Sequence, residues 1–306
     1  MQSDRAAGVR GTAPALGDGY ALAVTRFAAQ GTAWATMCVA PAMGVRQDFY
    51  APLASFLAEN GVHVLTFDYH GMGWSRPKKL SDFQGTVTDW AEMDLNAMLA
   101  HARAPAPALP LLMLGHSLGG QILGITPDNA AVRSSLHVTA GSGWYKLNDR
   151  MPLRVRMLWF VLMPALLPLL GYFPGKRLRI VGDLPLHVAW QWRRWCLHPD
   201  YLLSEGKGTR ASFDRVTAPI LSYSFEDDPM ISRAAVASLN GFYRNSPLEH
   251  RHVAPADIGA ANIGHFGFFS ERSRATLWKD ALQWLRAQAM PAAQSNVTGR
   301  EAQWAT

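Results

Sequence analysis

Leu111-Leu112-Met113-Leu114-Gly115-His116-Ser117-Leu118-Gly119-Gly120 runs four apolar residues straight into a glycine-rich turn. The run reads as a buried strand, the turn carries a serine, and Gln121-Ile122-Leu123 opens a helix behind it. Gly115 and Gly119 flank Ser117 at positions where a side chain would meet the neighbouring strand and helix. Glycine lets such a turn close, lifting the serine oxygen above the sheet beside the positive end of the helix. A five-residue Gly-x-Ser-x-Gly match also arises by chance, with the serine merely capping a helix. The apolar strand before it and the helix after it make Ser117 a candidate nucleophile.

Outward from this turn, the chain alternates strand and helix signals, which predicts a mainly parallel, doubly wound α/β sheet covered on both faces. Strands are expected at 20–27, 35–39, 62–67, 111–114, 136–140, 216–225 and 248–253, and helices at 52–59, 90–102 and 272–288. The pattern divides the chain into a core over 19–142 and 213–290 and a helical cap insertion over 143–212. Residues 1–18 and 291–306 read as flexible termini. Within the cap, Met157 to Phe173 is almost wholly apolar, yet shorter than the roughly twenty residues of a membrane span and interrupted by Pro164 and Pro168. It reads as a cap over an apolar cleft. Flanking basic residues such as Arg150, Arg154, Arg156, Lys176, Arg177 and Arg179 admit peripheral contact with anionic lipid, although a solvated cap surface is the favoured reading.

With 306 residues, 49% of them hydrophobic and 17% charged, the chain can bury a sizeable core and is not a low-complexity disordered segment. The net charge of +6 comes without a dense Lys/Arg run, so no nucleic-acid partner is expected. Cys38 and Cys196 read as buried unpaired thiols, and no apolar run follows Arg5 and Arg10, so a cytoplasmic location without a signal peptide is the expectation. Neither histidine spacing nor cysteine number suggests a metal, and the Gly-x-Gly at 71–73 does not fit a dinucleotide loop, so no cofactor is expected.

A serine nucleophile needs a base, and the base needs an acid to hold its tautomer. In this kind of sheet the order is serine, acid, histidine, which narrows ten histidines to His250, His252 and His265. His250 and His252 alternate within one predicted strand and read as structural or solvated. His265 lies between the last strand and last helix, with Gly264 and Gly267 around it and Phe266, Phe268 and Phe269 to exclude water. Ile220 to Phe225 delivers Glu226-Asp227-Asp228-Pro229 at its end, and spacing alone does not separate the two aspartates. The Leu118 N–H is one candidate donor to the oxyanion.

On these residues the chain resembles the α/β-hydrolases of the serine aminopeptidase/lysophospholipase-like group, over most of 35–288. Pro41-Ala42-Met43-Gly44 stands where the family has its His-Gly-x-Gly turn, and Phe67 to Ser75 resembles its Asp-x-Arg-Gly-x-Gly-x-Ser loop. Pro41-Ala42 in place of His-Gly and His70 in place of arginine depart from the pattern. The resemblance implies an α/β-hydrolase fold with a cap, Asp228 as the acid (Asp227 the runner-up) and Met43 as second oxyanion donor. It implies a serine hydrolase that cleaves a carboxylic ester with an apolar acyl part through an acyl-enzyme on Ser117, Asp228 and His265. A thioesterase, acyltransferase or small-peptide aminopeptidase would use the same triad, and the last should present cap carboxylates that this basic cap lacks. A non-catalytic ligand-binding protein on the same fold is the other class, against which the complete Ser-Asp-His set argues. Asp68 and Ser75 are expected to bond within their own loop and His116 to orient the turn. Trp144, Trp159, Trp190, Trp192 and Trp195 would either line an acyl pocket or pack the cap.

Overall fold

The computed structural model describes residues 6–16, 20–77, 79–147 and 152–289. Eight strands form one sheet: β1 (Val9–Pro14), β2 (Ala21–Phe27), β3 (Ala35–Ala40), β4 (Val62–Phe67), β5 (Leu111–His116), β6 (Ser134–Val138) and, after a small hairpin of β7 (Tyr172–Phe173) and β8 (Leu184–Pro185), β9 (Ile220–Phe225) and β10 (Leu248–Val253). The sheet order is β1-β2-β4-β3-β5-β6-β9-β10. β2 runs antiparallel to both its neighbours, and every pair from β4 to β10 is parallel. The central strands β3, β5, β6 and β9 are buried throughout between two helical layers, and β6 and β9 bury Ser134, Ser135, His137, Ser222 and Ser224 along with their apolar residues.

Alternation along those strands divides the core in two. Met37, Val39, Leu112, Leu114 and Leu221 join helix Ala51–Glu59 and the C-terminal helical run 274–289 on one face. Cys38, Ala40 and Met113 join the helical run 87–103 on the other, where a Thr86–Asp89 capping box starts the helix. That second core continues without a break into the cap through Trp159, Met163, Leu167 and Trp195. The insertion is therefore seated on the sheet by burial of a shared core.

Three expectations need correction. Val9–Pro14, within the stretch read as a flexible lead-in, is an edge strand paired in register with β2. Pro164 and Pro168 do not interrupt the cap helix, which runs from 152 to 170 with a π-type turn at Leu158–Leu162. That wider turn precedes Pro164, where an intrahelical donor is missing, and re-registers the hydrogen bonds around it. The passage from cap to core expected between 212 and 213 falls inside helix Lys207–Asp214, where Phe213 packs against Phe242 and Tyr243. The tail 291–306 and Arg150 lie outside the described residues.

Candidate active site

The elbow, the sharp strand-to-helix turn that carries Ser117, is built by two close approaches. A Cβ on Gly115 would sit 2.4 Å from the Gly120 nitrogen, and one on Gly119 would sit 2.1 Å from the Ala40 carbonyl oxygen. Between them Ser117 takes φ 49° and ψ −109°, a conformation an L-residue holds only where its surroundings impose it. The Ser117 N–H donates to the Val138 carbonyl at 2.9 Å, and the Ser117 carbonyl accepts from Gly120 N–H at 3.1 Å. Leu118 is the first residue of helix Leu118–Ile122, so its N–H has no acceptor within the helix.

The contact of Gly119 with the end of β3 brings residues 41–44 beside the elbow. Tyr50 fixes this loop: its hydroxyl accepts the Ala42 N–H at 2.8 Å. Among the described residues no hydrogen bond engages the Met43 N–H. The cap reaches the same loop, because a Cβ on Gly44 would meet the Gly182 nitrogen at 2.5 Å. Asp68 holds the loop from below through Gln47 N–H at 2.8 Å and Trp74 N–H at 3.0 Å, while the Ser75 hydroxyl donates to the Asp68 carbonyl at 2.8 Å.

Asp228 and His265 meet across the C-terminal edge of the sheet. Asp228 Oδ2 accepts from His265 Nδ1 at 2.8 Å, and its Oδ1 accepts from the Met230 and Ile231 N–H groups at 2.7 and 3.1 Å. Both side chains are buried. A carboxylate only accepts, so the proton of neutral His265 sits on Nδ1 and leaves Nε2 as the basic nitrogen. Asp227 does different work: its two oxygens accept from the Ile263 and Gly264 N–H groups at 2.8 and 2.9 Å, pinning the loop that carries His265. His250 and His252 lie on β10 with both rings on the Ser224 hydroxyl, at 2.7 and 2.8 Å.

Sequence reasoning missed Tyr50 and gave His116 only an orienting role. The His116 Nε2–H donates to the His265 carbonyl at 3.2 Å, so its Nδ1 accepts the Tyr50 hydroxyl proton at 2.9 Å. One buried chain of hydrogen bonds thus joins Ala42, Tyr50, His116 and His265. Burial, then the neighbouring His265, pushes the His116 imidazole well below its ordinary range, so it stays neutral. An aromatic two residues after Asp48 carried no signal of this contact.

Ser117, Leu118, Met43 and His265 line a single cavity of about 890 Å³ beneath the cap. Of the five cap tryptophans, Trp144, Trp159 and Trp192 line it. Trp195 instead packs against Tyr201 and bonds Glu205, and the Trp190 ring lies under the Arg193 guanidinium. The described lining contains Arg154 and Arg179 and no carboxylate. Among the described residues no cluster of His, Cys, Asp or Glu could hold a metal ion, and both cysteines are buried and unpaired.

A family model described as serine aminopeptidase, S33, matches residues 31–165, from β3 into the cap helix. No curated protein matches by sequence. Among solved structures, a monoglyceride lipase from Saccharomyces cerevisiae in complex with a substrate analogue aligns with TM-score 0.65 at 16% identity, over 95% of this chain and 98% of that one. A carboxyl esterase from Bacillus coagulans in complex with glycerol aligns with TM-score 0.66 at 12% identity, over 93% and 99%. Est1E from Butyrivibrio proteoclasticus, bound to ferulic acid, aligns with TM-score 0.60 at 13% identity, over 90% and 99%. With the sheet order above, these show that the fold is that of the α/β-hydrolases.

Proposed function

We propose that this α/β-hydrolase is a serine hydrolase that cleaves a carboxylic ester with an apolar acyl part. The observation that carries the reading is the buried Asp228–His265 hydrogen bond at 2.8 Å, opening on the cavity that Ser117 also lines. His265 Nε2 takes the Ser117 hydroxyl proton as the oxygen attacks the ester carbonyl. The tetrahedral oxyanion is stabilised by the N–H groups of Leu118 and Met43, and His265 returns the proton to the leaving alkoxide. Water, deprotonated by His265, then attacks the acyl-enzyme, and His265 returns that proton to the Ser117 oxygen as the acid leaves. Asp228 holds the imidazole and stabilises its cationic form throughout.

The apolar lining favours an acyl chain, and the two arginines with no carboxylate disfavour a substrate bearing a free amine. Ester therefore ranks above aminopeptidase chemistry, with thioester the nearest competitor on the same residues. Ser117→Ala should reduce hydrolysis of p-nitrophenyl esters at least about 1000-fold and abolish fluorophosphonate labelling. Unchanged labelling of a folded Ser117→Ala protein overturns the assignment. A parallel screen of ester, thioester and aminoacyl substrates with that variant as blank ranks the bond types.

A further inference from the structure

The cap helix over 152–170 has two apolar faces. Leu158, Trp159, Met163 and Leu167 are buried in the protein, and Arg193 Nε donates to the Trp159 carbonyl at 2.7 Å. The opposite face carries Leu153, Met157, Phe160, Val161, Leu169 and Leu170, which are exposed by 43 to 78%. Residues 153, 157 and 161 repeat at helical spacing, and no polar residue occurs from 157 to 170. The 18-residue window Leu153–Leu170 has a mean hydropathy of 1.7 and is 22% buried, which makes it long and apolar enough to cross a membrane by length and composition. A spanning helix would present apolar groups to lipid all round. This one seals a single face, that of Leu158, Trp159, Met163 and Leu167, against the protein core and leaves the other outward, so it fits a helix lying in an interface.

Two further observations identify what covers the outward face. Leu153 and Met157 line the cavity and also reach solvent, so the cavity meets the surface at this end of the helix. Arg154 and Arg179 border the cavity too, and these two and Arg156 are exposed with no ion pair among the described residues. Over residues 152–212 there are nine Lys or Arg against three Asp or Glu. A second copy seated across a twofold axis would bring these like charges together, whereas an anionic headgroup layer complements them.

We propose that the outward face of the 152–170 helix docks on an anionic bilayer surface and sets the mouth of the cavity against the lipid. Phe160, Val161 and Leu169 enter the boundary of headgroup and acyl chain, and Arg154, Arg156 and Arg179 meet phosphate. An ester delivered from the leaflet then reaches Ser117 without crossing water, a consequence that rests on the hydrolase reading; the docking itself does not.

The test is co-sedimentation with sucrose-loaded vesicles of phosphatidylcholine alone or with about one-third phosphatidylglycerol. The wild type should partition onto the anionic vesicles, and the double variant Val161→Asp/Leu169→Asp should bind at least about tenfold more weakly. Arg156→Gln should reduce the preference for anionic over neutral vesicles. Neither Val161 nor Leu169 lines the cavity, so the double variant should keep its circular dichroism, Tm and hydrolysis of a water-soluble p-nitrophenyl ester. Wild type that stays in the supernatant with both vesicles overturns the proposal, as does a double variant that binds like wild type. A wild-type dimer that the double variant disperses, without vesicle binding, identifies the face as a self-interface and rejects the lipid surface. Sedimentation needs no turnover, so an inactive Ser117 would leave this result standing.

Discussion

At the scale of single residues, two adjacent aspartates separate into two jobs, and substitution should separate them too. Asp228→Asn keeps the shape but allows the wrong His265 tautomer, and kcat should fall by roughly three to four orders of magnitude with Tm little changed. Asp227→Asn loses one of two hydrogen bonds to the His265 loop, so Tm should fall while activity drops only about tenfold to a hundredfold. Equal losses in kcat would mean that the two carboxylates are interchangeable. Tyr50→Phe leaves the buried Ala42 N–H and His116 Nδ1 without their partner and should cost about 1–3 kcal/mol in urea denaturation. Under the proposed mechanism its kcat should fall more than its KM rises, because the loops it ties carry Met43 and His265, the proposed oxyanion donor and base. Ser117 and His265 stand out in the sequence because glycines beside them mark their turns. Tyr50 has no such marker: its partners lie 8 and 66 residues away and only the sheet brings them together.

At the scale of elements, what packs tightly and what does not can be told apart at two glycines. Gly119→Ala drives a methyl into the Ala40 carbonyl at 2.1 Å and must lever the elbow helix off β3. The expected cost is on the order of 2–4 kcal/mol, with activity lost alongside stability. Gly208, in the first turn of helix Lys207–Asp214, has nothing within 4 Å of an added Cβ, so Gly208→Ala should stabilise by about 0.4–1 kcal/mol. Equilibrium urea unfolding of both variants decides; an unchanged midpoint for Gly119→Ala would mean the β3 contact is not obligatory. The same contrast explains which elements the sequence discloses. β5 is buried throughout and opens on the apolar run Leu111–Leu114, and β9, equally buried, keeps Ile220, Leu221, Tyr223 and Phe225 around its two serines. β1 buries only Ala13 of its six residues, so Val-Arg-Gly-Thr-Ala-Pro shows no alternation, and backbone pairing with β2 alone makes it a strand. The cap helix crosses two prolines because a π-type turn and tertiary burial of Met163 and Leu167 override local propensity.

At the scale of the whole molecule, buried imidazoles tie stability to pH. His137 lies on β6, fully buried against Tyr243, with no hydrogen-bond partner for either ring nitrogen among the described residues, and burial pushes its pKa down to about 3. His116 shifts in the same direction. The unfolded chain protonates these rings below about 6.5 while the folded protein does not. The His137 contribution to stability is therefore complete above that pH and is lost as pH falls towards 3, at up to about 1.4 kcal/mol per pH unit, and the His116 contribution is lost in the same direction. Asp94 acts with the opposite sign. Burial raises its carboxyl to about 7 against the Tyr20 hydroxyl and His70 N–H, so the folded state keeps a proton that the unfolded chain releases. Stability from Asp94 is complete below the ordinary carboxyl range and fades as pH rises through 7. The two kinds of group contribute slopes of opposite sign, and single variants should remove one contribution at a time. Taken as variant minus wild type, the unfolding free energy of His137→Leu should rise as pH falls from 6.5 to 3.5, and that of Asp94→Asn should rise as pH climbs from 4 to 7. Urea denaturation across that range, taken as variant minus wild type, cancels the remaining groups. A His137→Leu curve parallel to wild type would show that the ring is protonated in the folded state as readily as in the unfolded one.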